Sequence, residues 1–397
     1  MKKQLLFIAL ASLFTSMVSA ADLYVRDLGA GGSYSTISAA ITAANDGDRI
    51  IIRPKAGSLP FIENLTIDKS LSFVSEINFS KYILQGTITV TPAAGRVVTI
   101  NNLQISGTNT ISVSADTTGG RTTLNILNST TAGVNAGVAN TTLNMSGCTG
   151  TAIAMTHGRI TGNKVTSITI NTPTIDTNPS TDDIEIIANA ISVTGTAINL
   201  NQKNYNFRIL NNFTGTGYIT ISAVKNDSTN EIINNVISST NTSNANNSIQ
   251  VSSPAGFTGL VSILNNVFYY IGPTFGTFYP VTASGVSCYV YYNQSNYSVS
   301  MPTITNSGNN NVVSFSLNTT TYTVNGSSTT DTGSPEDDFA DIDLSRNDRG
   351  NFGGSDSWAN YWPTAVGNKP QVNYLKTPRR IYTGTTEMNA TGSGYSK

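Results

Sequence analysis

One short motif recurs four times in this chain, as Ile100-Asn101-Asn102-Leu103, Leu210-Asn211-Asn212-Phe213, Ile233-Asn234-Asn235-Val236 and Leu264-Asn265-Asn266-Val267. A looser form of the motif places Asn at positions 102, 128, 163, 189, 212, 235, 266 and 293, with Ser146 in the gap. Successive positions lie 17 to 31 residues apart. Such periods predict one coil of a parallel β-solenoid, whose coils bury their apolar rows by stacking on neighbours. Asn suits a repeated corner because it tolerates the left-handed backbone and its amides can bond from coil to coil, so we expect an asparagine ladder.

Most of the remaining chain has the pattern of short strands. Apolar runs such as Leu65–Ile67, Leu71–Val74 and Ile88–Val90 alternate with polar turns. A single helix is predicted near the N-terminus, capped by Ser35 and ended by Asn45-Asp46-Gly47. Its apolar residues follow helical spacing, at Ile37, Ala40, Ile41 and Ala44. The predicted fold is therefore all-β, with a short N-terminal capping helix.

The first 20 residues have the pattern of a secretory signal peptide. Lys2 and Lys3 precede an apolar run from Leu5 to Leu13, and small residues end at Ala20. No later apolar run reaches the roughly 20 residues of a transmembrane helix. We expect three segments: a signal peptide at 1–20, a β-helix at 21–334 and a closing, capping tail at 335–397. The mature protein is expected outside the cell, at the cell surface or in the periplasm.

Composition excludes some classes of protein. The chain has 397 residues, with 22 Lys and Arg against 23 Asp and Glu, so it offers no broad basic surface for nucleic acid. Because 39% of its residues are hydrophobic, a disordered chain is disfavoured. Cys148 and Cys288 could form a disulfide in an oxidising compartment or remain as buried thiols, and their spacing does not decide between these outcomes.

Charged residues alternate in the same register. Arg159, Glu185, Arg208 and Glu231 each stand four residues before a corner Asn. Stacked strands lie about 4.8 Å apart, so these side chains should form an outward-facing ion ladder. Such a ladder could line a charged ligand groove, but a solvated structural role is favoured.

Three segments carry a resemblance to a known family. Tyr34-Ser35-Thr36-Ile37 with the helix after it, together with Glu63-Asn64-Leu65-Thr66-Ile67, resembles the N-terminal cap and first coils of the pectin-lyase-like right-handed parallel β-helix superfamily. The Asn-Asn corners are similar to its asparagine ladders. Asp341-Ile342-Asp343-Leu344-Ser345-Arg346-Asn347-Asp348-Arg349-Gly350 resembles the closing segment of many secreted bacterial β-helix proteins. The resemblance implies an architecture and specifies no activity.

Catalytic members of that superfamily act on polyuronates through carboxylates, either as Ca²⁺ ligands or as acid and base. Here residues 232 to 330 contain no Asp, Glu, Lys, Arg or His. Upstream, the candidates for a lyase site are Asp182, Asp183, Lys203 and Arg208, which match no catalytic motif of the family. His157, the single histidine, is interpreted as a polar loop residue.

The charge-free stretch is rich in aromatic residues, and four of them are candidate ligand-binding residues: Tyr269, Tyr289, Tyr291 and Tyr292. Tyrosines among Asn and Thr suit neutral sugars or a protein partner, although aromatic packing within the fold explains them equally well. Alternation along a strand places Tyr289 and Tyr291 on one side.

Asp341, Asp343 and Ser345 follow the oxygen-donor spacing of calcium loops, without the expected glycine and glutamate. They could hold a structural Ca²⁺ or form a turn in which aspartates cap backbone amides. The tail beyond Gly354 contains both tryptophans and is expected to cover the last coil, where open strand edges would otherwise template aggregation.

The favoured function is that of an exported, non-catalytic protein of the cell surface or extracellular space that binds a glycan or a protein partner. A polysaccharide lyase or glycoside hydrolase of the β-helix class is the alternative. A structural subunit of a surface assembly is the third hypothesis.

Overall fold

The computed structural model describes residues 20–173, 175–177, 179–226, 228–240, 247–253, 259–272, 278–325, 329–362, 370–377 and 384–395. The predicted signal peptide lies outside these residues except for Ala20. Helical structure within them is limited to the α-helices Ile37–Ala43 and Trp358–Tyr361 and the 3-10 segments Asp27–Gly32, Ala56–Ser58 and Asp337–Phe339. The protein is therefore dominated by β-strands.

Two long parallel sheets form the body of the described chain. The first sheet contains, in spatial order, Asp22–Val25, Arg49–Ile52, Ser72–Ser75, Val97–Asn101, Thr122–Leu127, Thr141–Ser146, His157–Thr161, Ile184–Ile187, Phe207–Leu210, Thr229–Ile233, Leu260–Leu264, Ser287–Tyr291 and Asn306–Gly308. The second contains Leu65–Ile67, Ile88–Val90, Ile111–Val113, Gly133–Asn135, Ala152–Met155, Ser167–Asn171, Ala190–Asn201, Phe213–Ala223, Val236–Thr240, Val267–Ile271, Gln294–Ser295 and Asn311–Val312. Lys164–Val165, Asn247–Ser252 and Tyr279–Ser284 pair at the side of the second sheet.

Three smaller sheets complete the strands. A parallel sheet joins Phe61–Ile62, Tyr82–Gln85 and Leu103–Ile105. Two antiparallel hairpins follow near the C-terminus, Ser316–Asn318 with Thr323–Asn325 and Gln371–Lys376 with Thr391–Tyr395. The second of these is called the C-terminal hairpin below.

Each pass of the chain adds one strand to the first sheet and then, from Leu65 onward, one to the second, and this unit is called a repeat. The register places one buried apolar residue from each repeat in a continuous row: Ile50, Phe73, Ile100, Ile126, Met145, Ile160, Ile186, Ile209, Ile232, Ile263 and Val290. Because side chains alternate along a strand, the next residues face outward. This all-β architecture of long parallel sheets is compatible with a β-helix.

The N-terminal helix packs against the first repeats as expected. Ile37, Ala40 and Ile41 are buried in the core. The N-cap is Thr36, one residue after the predicted Ser35, and its side-chain oxygen accepts a hydrogen bond from the Ala39 amide at 3.2 Å. At the other end, Lys69 donates to the carbonyls of Ile41, Thr42 and Ala44, a favourable place for a cation.

The predicted asparagine ladder is present as a row inside the corner between the two sheets, called the inner ladder. Its members are Asn163, Asn189, Asn212, Asn235, Asn266, Asn293 and Asn310. In each of the six steps, Nδ2 donates to Oδ1 of the next asparagine at 3.0 Å. In Asn235, for example, Nδ2 also donates to the carbonyls of Ile209 and Ile233. The amides therefore fix the corner to the repeats on both sides.

The predicted register is wrong by one position in the earlier repeats. Asn102 and Asn128 have positive φ angles of 59° and 45° and stand one residue before the inner ladder. Leu103, Ser129 and Cys148 occupy the ladder row instead, because the Leu103 amide donates to Ser129 Oγ and the Ser129 amide to Cys148 Sγ. Ser146, the predicted substitute for Asn, lies two residues earlier, in the strand.

In the later repeats the two asparagines of the motif have different roles. The second belongs to the inner ladder, whereas the first has a left-handed backbone, with φ of 55° at Asn211, 58° at Asn234 and 57° at Asn265. These three form an outer row that binds residues 329–362, here called the closing segment. Asn211 Nδ2 donates to the carbonyl of Gly353 at 2.6 Å, and Asn234 Nδ2 donates to Asn347 Oδ1 at 3.0 Å.

Apolar residues flanking the motif complete this contact. Ile187, Leu210, Ile233, Leu264, Ala190, Phe213, Val236 and Val267 form one buried cluster with Trp358. Trp362 stacks on Trp358 and donates its indole N–H to the carbonyl of Ala188 at 2.7 Å. The described part of the tail thus lies along the flank of the repeats. The expectation that the tail covers the last coil stays a prediction.

We expect Asn235→Ala to lower the free energy of unfolding by about 3 kcal/mol, because the three hydrogen bonds that Asn235 Nδ2 donates are lost and the two Asn212 N–H groups lose their acceptor, Asn235 Oδ1. Urea denaturation of both proteins measures the change. Asn204→Ala, at an exposed position, is the matched control and should stay within about 0.5 kcal/mol. Equal stability of Asn235→Ala and wild type would contradict a structural role for the ladder.

Both cysteines are free and buried, so of the two outcomes left open by the sequence the thiols are found. Burial raises the pKa of each thiol to about 12, and a protonated thiol is a poor nucleophile. Iodoacetamide should therefore label neither cysteine in the native protein at pH 8 and both in 8 M urea, as read by intact mass. A mass two hydrogens lower in urea without reductant would reveal a disulfide instead.

Candidate functional site

The ion ladder forms as predicted along the outer face of the first sheet. Glu185 accepts from Arg159 Nε at 2.8 Å and from Arg208 Nη1 at 3.0 Å, and Arg208 Nε donates to Glu231 at 3.0 Å. The prediction of a solvated ladder is wrong for its centre, because Glu185 is 2% exposed. Part of the tail covers it.

Residues of the tail cover the outer side of the ion ladder. The Tyr374 ring of the C-terminal hairpin lies 3.2 Å from the Arg159 guanidinium carbon, and Asp356 lies 3.7 Å from Arg208. The pKa of Arg208 is raised by its three carboxylate partners, although burial opposes this. A cleft of about 440 Å³ remains between the ladder and the hairpin, lined by Arg208, Asp356, Tyr361, Val372, Tyr374 and Leu375 among others. Arg208 and Asp356 in its lining pair with each other, so the ladder supplies the cleft with no free acid or base.

The candidate lyase residues form no ion pair with one another in the described ranges. Asp182 and Lys203 are exposed, Asp183 is half-buried, and Arg208 belongs to the ladder. Their catalytic role stays a prediction without a common cleft to support it.

The interpretation of His157 as a loop residue is wrong. His157 is the first residue of a strand in the first sheet, and it is 2% exposed. Its Nε2 bonds the carbonyl of Asp182 at 3.0 Å, so Nε2 carries the proton. Nδ1 then accepts from the Thr142 hydroxyl at 3.3 Å. The imidazole ring packs against Tyr205, with centroids 4.5 Å apart.

Next to His157 lies a buried polar cluster that sequence reasoning missed. Asp176 accepts from Asn140 at 2.7 Å and from Arg121 at 3.0 Å, and the Tyr205 hydroxyl also donates to it. Burial, with the bond to Asp176, raises the pKa of Tyr205 to about 12. The side chains of Arg121 and Asp176 are 11% and 7% exposed. Through these bonds the cluster holds the loop that carries Asp176 against the first sheet.

The four candidate tyrosines pack within the protein. Tyr289 and Tyr291 lie on one side of their strand, as predicted, and stack with centroids 4.1 Å apart. Tyr269 contacts Phe315, and Tyr292 has a left-handed backbone at the corner. All four are half-buried. None of them lines a described cleft, so ligand binding by these residues stays a prediction.

The Asp341 turn is held by hydrogen bonds to its carboxylates. Asp341 accepts from the amides of Asp348 and Gly354, and Asp343 accepts from the amide and the hydroxyl of Ser345. Burial raises the pKa of Asp341 to about 6. Among the described residues, no group of three or more His, Cys, Asp or Glu side chains is placed so that it could hold a metal ion. These contacts are those of amide capping, and the structural Ca²⁺ stays a prediction.

A second, larger cleft lies where the Ser316–Asn325 hairpin meets the second sheet, and is called the corner cleft. It has a volume of about 540 Å³, and its lining includes Tyr322, Lys164 and five hydroxyl-bearing residues: Thr149, Thr166, Ser192, Thr216 and Thr319. Lys164 Nζ lies 5.7 Å from the Tyr322 centroid and 5.4 Å from the Trp362 ring. Its described lining contains no Asp, Glu or His.

Sequence signals for these sites were weak. Lys164 directly follows inner-ladder residue Asn163, so the repeat register placed it at the corner. Tyr322 lies in a segment with no such register. Its position beside Lys164 follows from the path of the Ser316–Asn325 hairpin, which no local pattern specifies.

Comparison of the chain with protein-family models, curated proteins and solved structures gives no match. None of the helices described has the length and apolar character that spanning a membrane requires.

We expect acid to destabilise the protein through His157. Burial lowers the pKa of this imidazole below its ordinary 6.5, and the Arg121 charge adds to the effect. A base with a lowered folded pKa contributes stability above the unfolded pKa and loses it as pH falls below about 6.5. The unfolding free energy from urea titrations between pH 8 and 5 should therefore fall more steeply in wild type than in His157→Gln. Parallel curves for the two proteins would contradict this expectation. Asp341 titrates equally in both proteins, so it does not contribute to the difference between their curves.

Proposed function

We propose that this chain is an exported, right-handed parallel β-helix protein of the pectin-lyase-like type that binds a glycan and does not cleave it. Export rests on the signal-peptide pattern of residues 1–20, and the superfamily on the resemblance of the N-terminal, corner and closing motifs. The long parallel sheets are compatible with a β-helix fold. The glycan is assigned to the corner cleft.

The observation that carries the proposal is the chemistry of this cleft. Sugar rings pack their apolar faces on aromatic rings and hydrogen-bond through their hydroxyls. Tyr322, Lys164 and the hydroxyls of the cleft supply both kinds of contact within about 540 Å³, a volume typical of ligand sites. Cleaving a glycosidic bond requires an acid and a base or nucleophile at the bond. The described lining has no carboxylate, which favours binding over catalysis.

Two alternatives remain. A lyase or hydrolase would act through Asp182, Asp183, Lys203 and Arg208, but no ion pair among these side chains in the described ranges supports it. A structural subunit of a surface assembly, or a protein-binding role, agrees with the same fold. In a structural subunit the half-buried tyrosines Tyr269, Tyr289, Tyr291 and Tyr292 would be packing residues, and in a protein-binding role they would contact the partner.

The test is binding of the mature protein, residues 21–397, to a panel of neutral and acidic polysaccharides, with calcium and without, followed by assay of newly formed chain ends. We expect saturable binding to one polysaccharide class and no new ends. Tyr322→Leu and Lys164→Gln should each weaken binding about tenfold, as expected for loss of a ring contact or a charged hydrogen bond.

Two control variants separate the cleft from other surfaces. Lys203→Gln removes an exposed lysine outside the cleft and should leave affinity unchanged. Tyr292→Asn tests the tyrosine group with a residue that tolerates the same left-handed backbone. Loss of binding in Tyr292→Asn, with no loss in Tyr322→Leu, would move the site to the tyrosines. New chain ends would favour the enzyme alternative.

A further inference from the structure

A buried arginine lies where the closing segment meets the last repeats. Arg349 is 7% exposed. Its guanidinium donates to the side-chain oxygen of Asn311 and, at 3.4 Å, to the carbonyl of Asn309. Both acceptors are neutral. The buried Nε of Arg349 has no hydrogen-bond partner among the described residues.

The nearby carboxylates are engaged elsewhere. Asp348 accepts from the amide of Asp331 at 2.7 Å, and Asp341 accepts from the amides of Asp348 and Gly354. None of the ion pairs in the described ranges includes Arg349 or its neighbour Arg346. The positive charge of Arg349 is therefore uncompensated by those residues.

A second cation makes the imbalance larger. Arg346 is exposed and uses its Nε on the carbonyl of Gly333 at 2.8 Å. Burial and, to a smaller extent, the charge of Arg346 lower the pKa of Arg349 to about 10. A buried charge is costly unless an opposite charge or hydrogen bonds compensate it. A buried guanidinium with neutral acceptors and an unpartnered Nε, next to a second cation that acts on its charge, favours a bound anion.

We propose that an oxyanion, with the chemistry of sulfate, phosphate or a carboxylate, binds between Arg346 and Arg349. Guanidinium N–H groups form a planar fork that matches such anions in two-point hydrogen bonds. Arg346 and Asn311 are exposed, so the anion enters from the solvent side by displacing the Asn311 side chain.

This anion site goes beyond the proposed function and does not depend on it. The corner cleft uses Lys164 and hydroxyls of earlier repeats, whereas Arg349 contacts Asn309 and Asn311 of the final repeat. Because Arg349 belongs to the closing segment, an anion bound there also stabilises the docked segment against the repeats.

The experiment measures binding of sulfate, inorganic phosphate and acetate to the mature protein at constant ionic strength, with chloride as the reference. Calorimetry gives the affinity, and thermal unfolding gives the stabilisation expected of a ligand that binds the folded state. We expect a saturable rise in Tm with sulfate or phosphate. The affinity should fall at least about tenfold in Arg346→Gln and disappear in Arg349→Gln.

The exposed Arg53 provides the matched control, and Arg53→Gln should bind as wild type does. If Arg349→Gln does not fold, the affinity of Arg346→Gln tests the proposal, because the Arg346 side chain is exposed and its replacement should not prevent folding. Selenate soaked into crystals of the wild-type protein should then give an anomalous peak at Arg349. Equal affinity in wild type and Arg346→Gln, or a Tm rise that never saturates, would overturn the proposal, as would the absence of that peak.

Discussion

The side-chain amide of an inner-ladder asparagine bonds to the neighbouring repeats, and the rest of the structure depends on this contact. Asn235 donates to a carbonyl one repeat earlier, to a carbonyl of its own repeat and to Asn266 one repeat later. A turn tied at these points cannot slip by one residue. Since a one-residue slip would exchange the buried and exposed faces of a strand, the ladder protects the continuous apolar row of the core.

Because the inner ladder fixes the register of the strands, the side chains on their outer face are aligned as well. Arg159, Glu185, Arg208 and Glu231 pair from repeat to repeat because their strands are in step. The apolar residues flanking the Asn-Asn motif align in the same way and bind the closing segment through Trp358. One motif of four residues thus supplies an inner bond, an outer bond and two apolar contacts.

The closing segment and the hairpins around it create the concave surfaces of the protein. The corner cleft needs Tyr322, the cleft over the ladder needs Tyr374, and the proposed anion site needs Arg349. Flat outer faces of parallel sheets offer little enclosure by themselves, and ligand sites are concave. Glycan binding and anion binding are thus both proposed at places where the C-terminal part of the chain meets the repeats.

The sequence by itself determined the all-β class, the capping helix, the ion ladder and most of the inner asparagines, because each depends on local spacing that a repeated backbone conformation imposes. It misplaced Asn102 and Asn128, since Leu103, Ser129 and Cys148 occupy the ladder row without being Asn. Only the tertiary structure decided that the tail lies along the flank, that Glu185 is covered, and that His157 joins Tyr205 near Asp176. These contacts link residues as far apart as Trp362 and Ala188, and their formation depends on the path of the chain between them, which no spacing records.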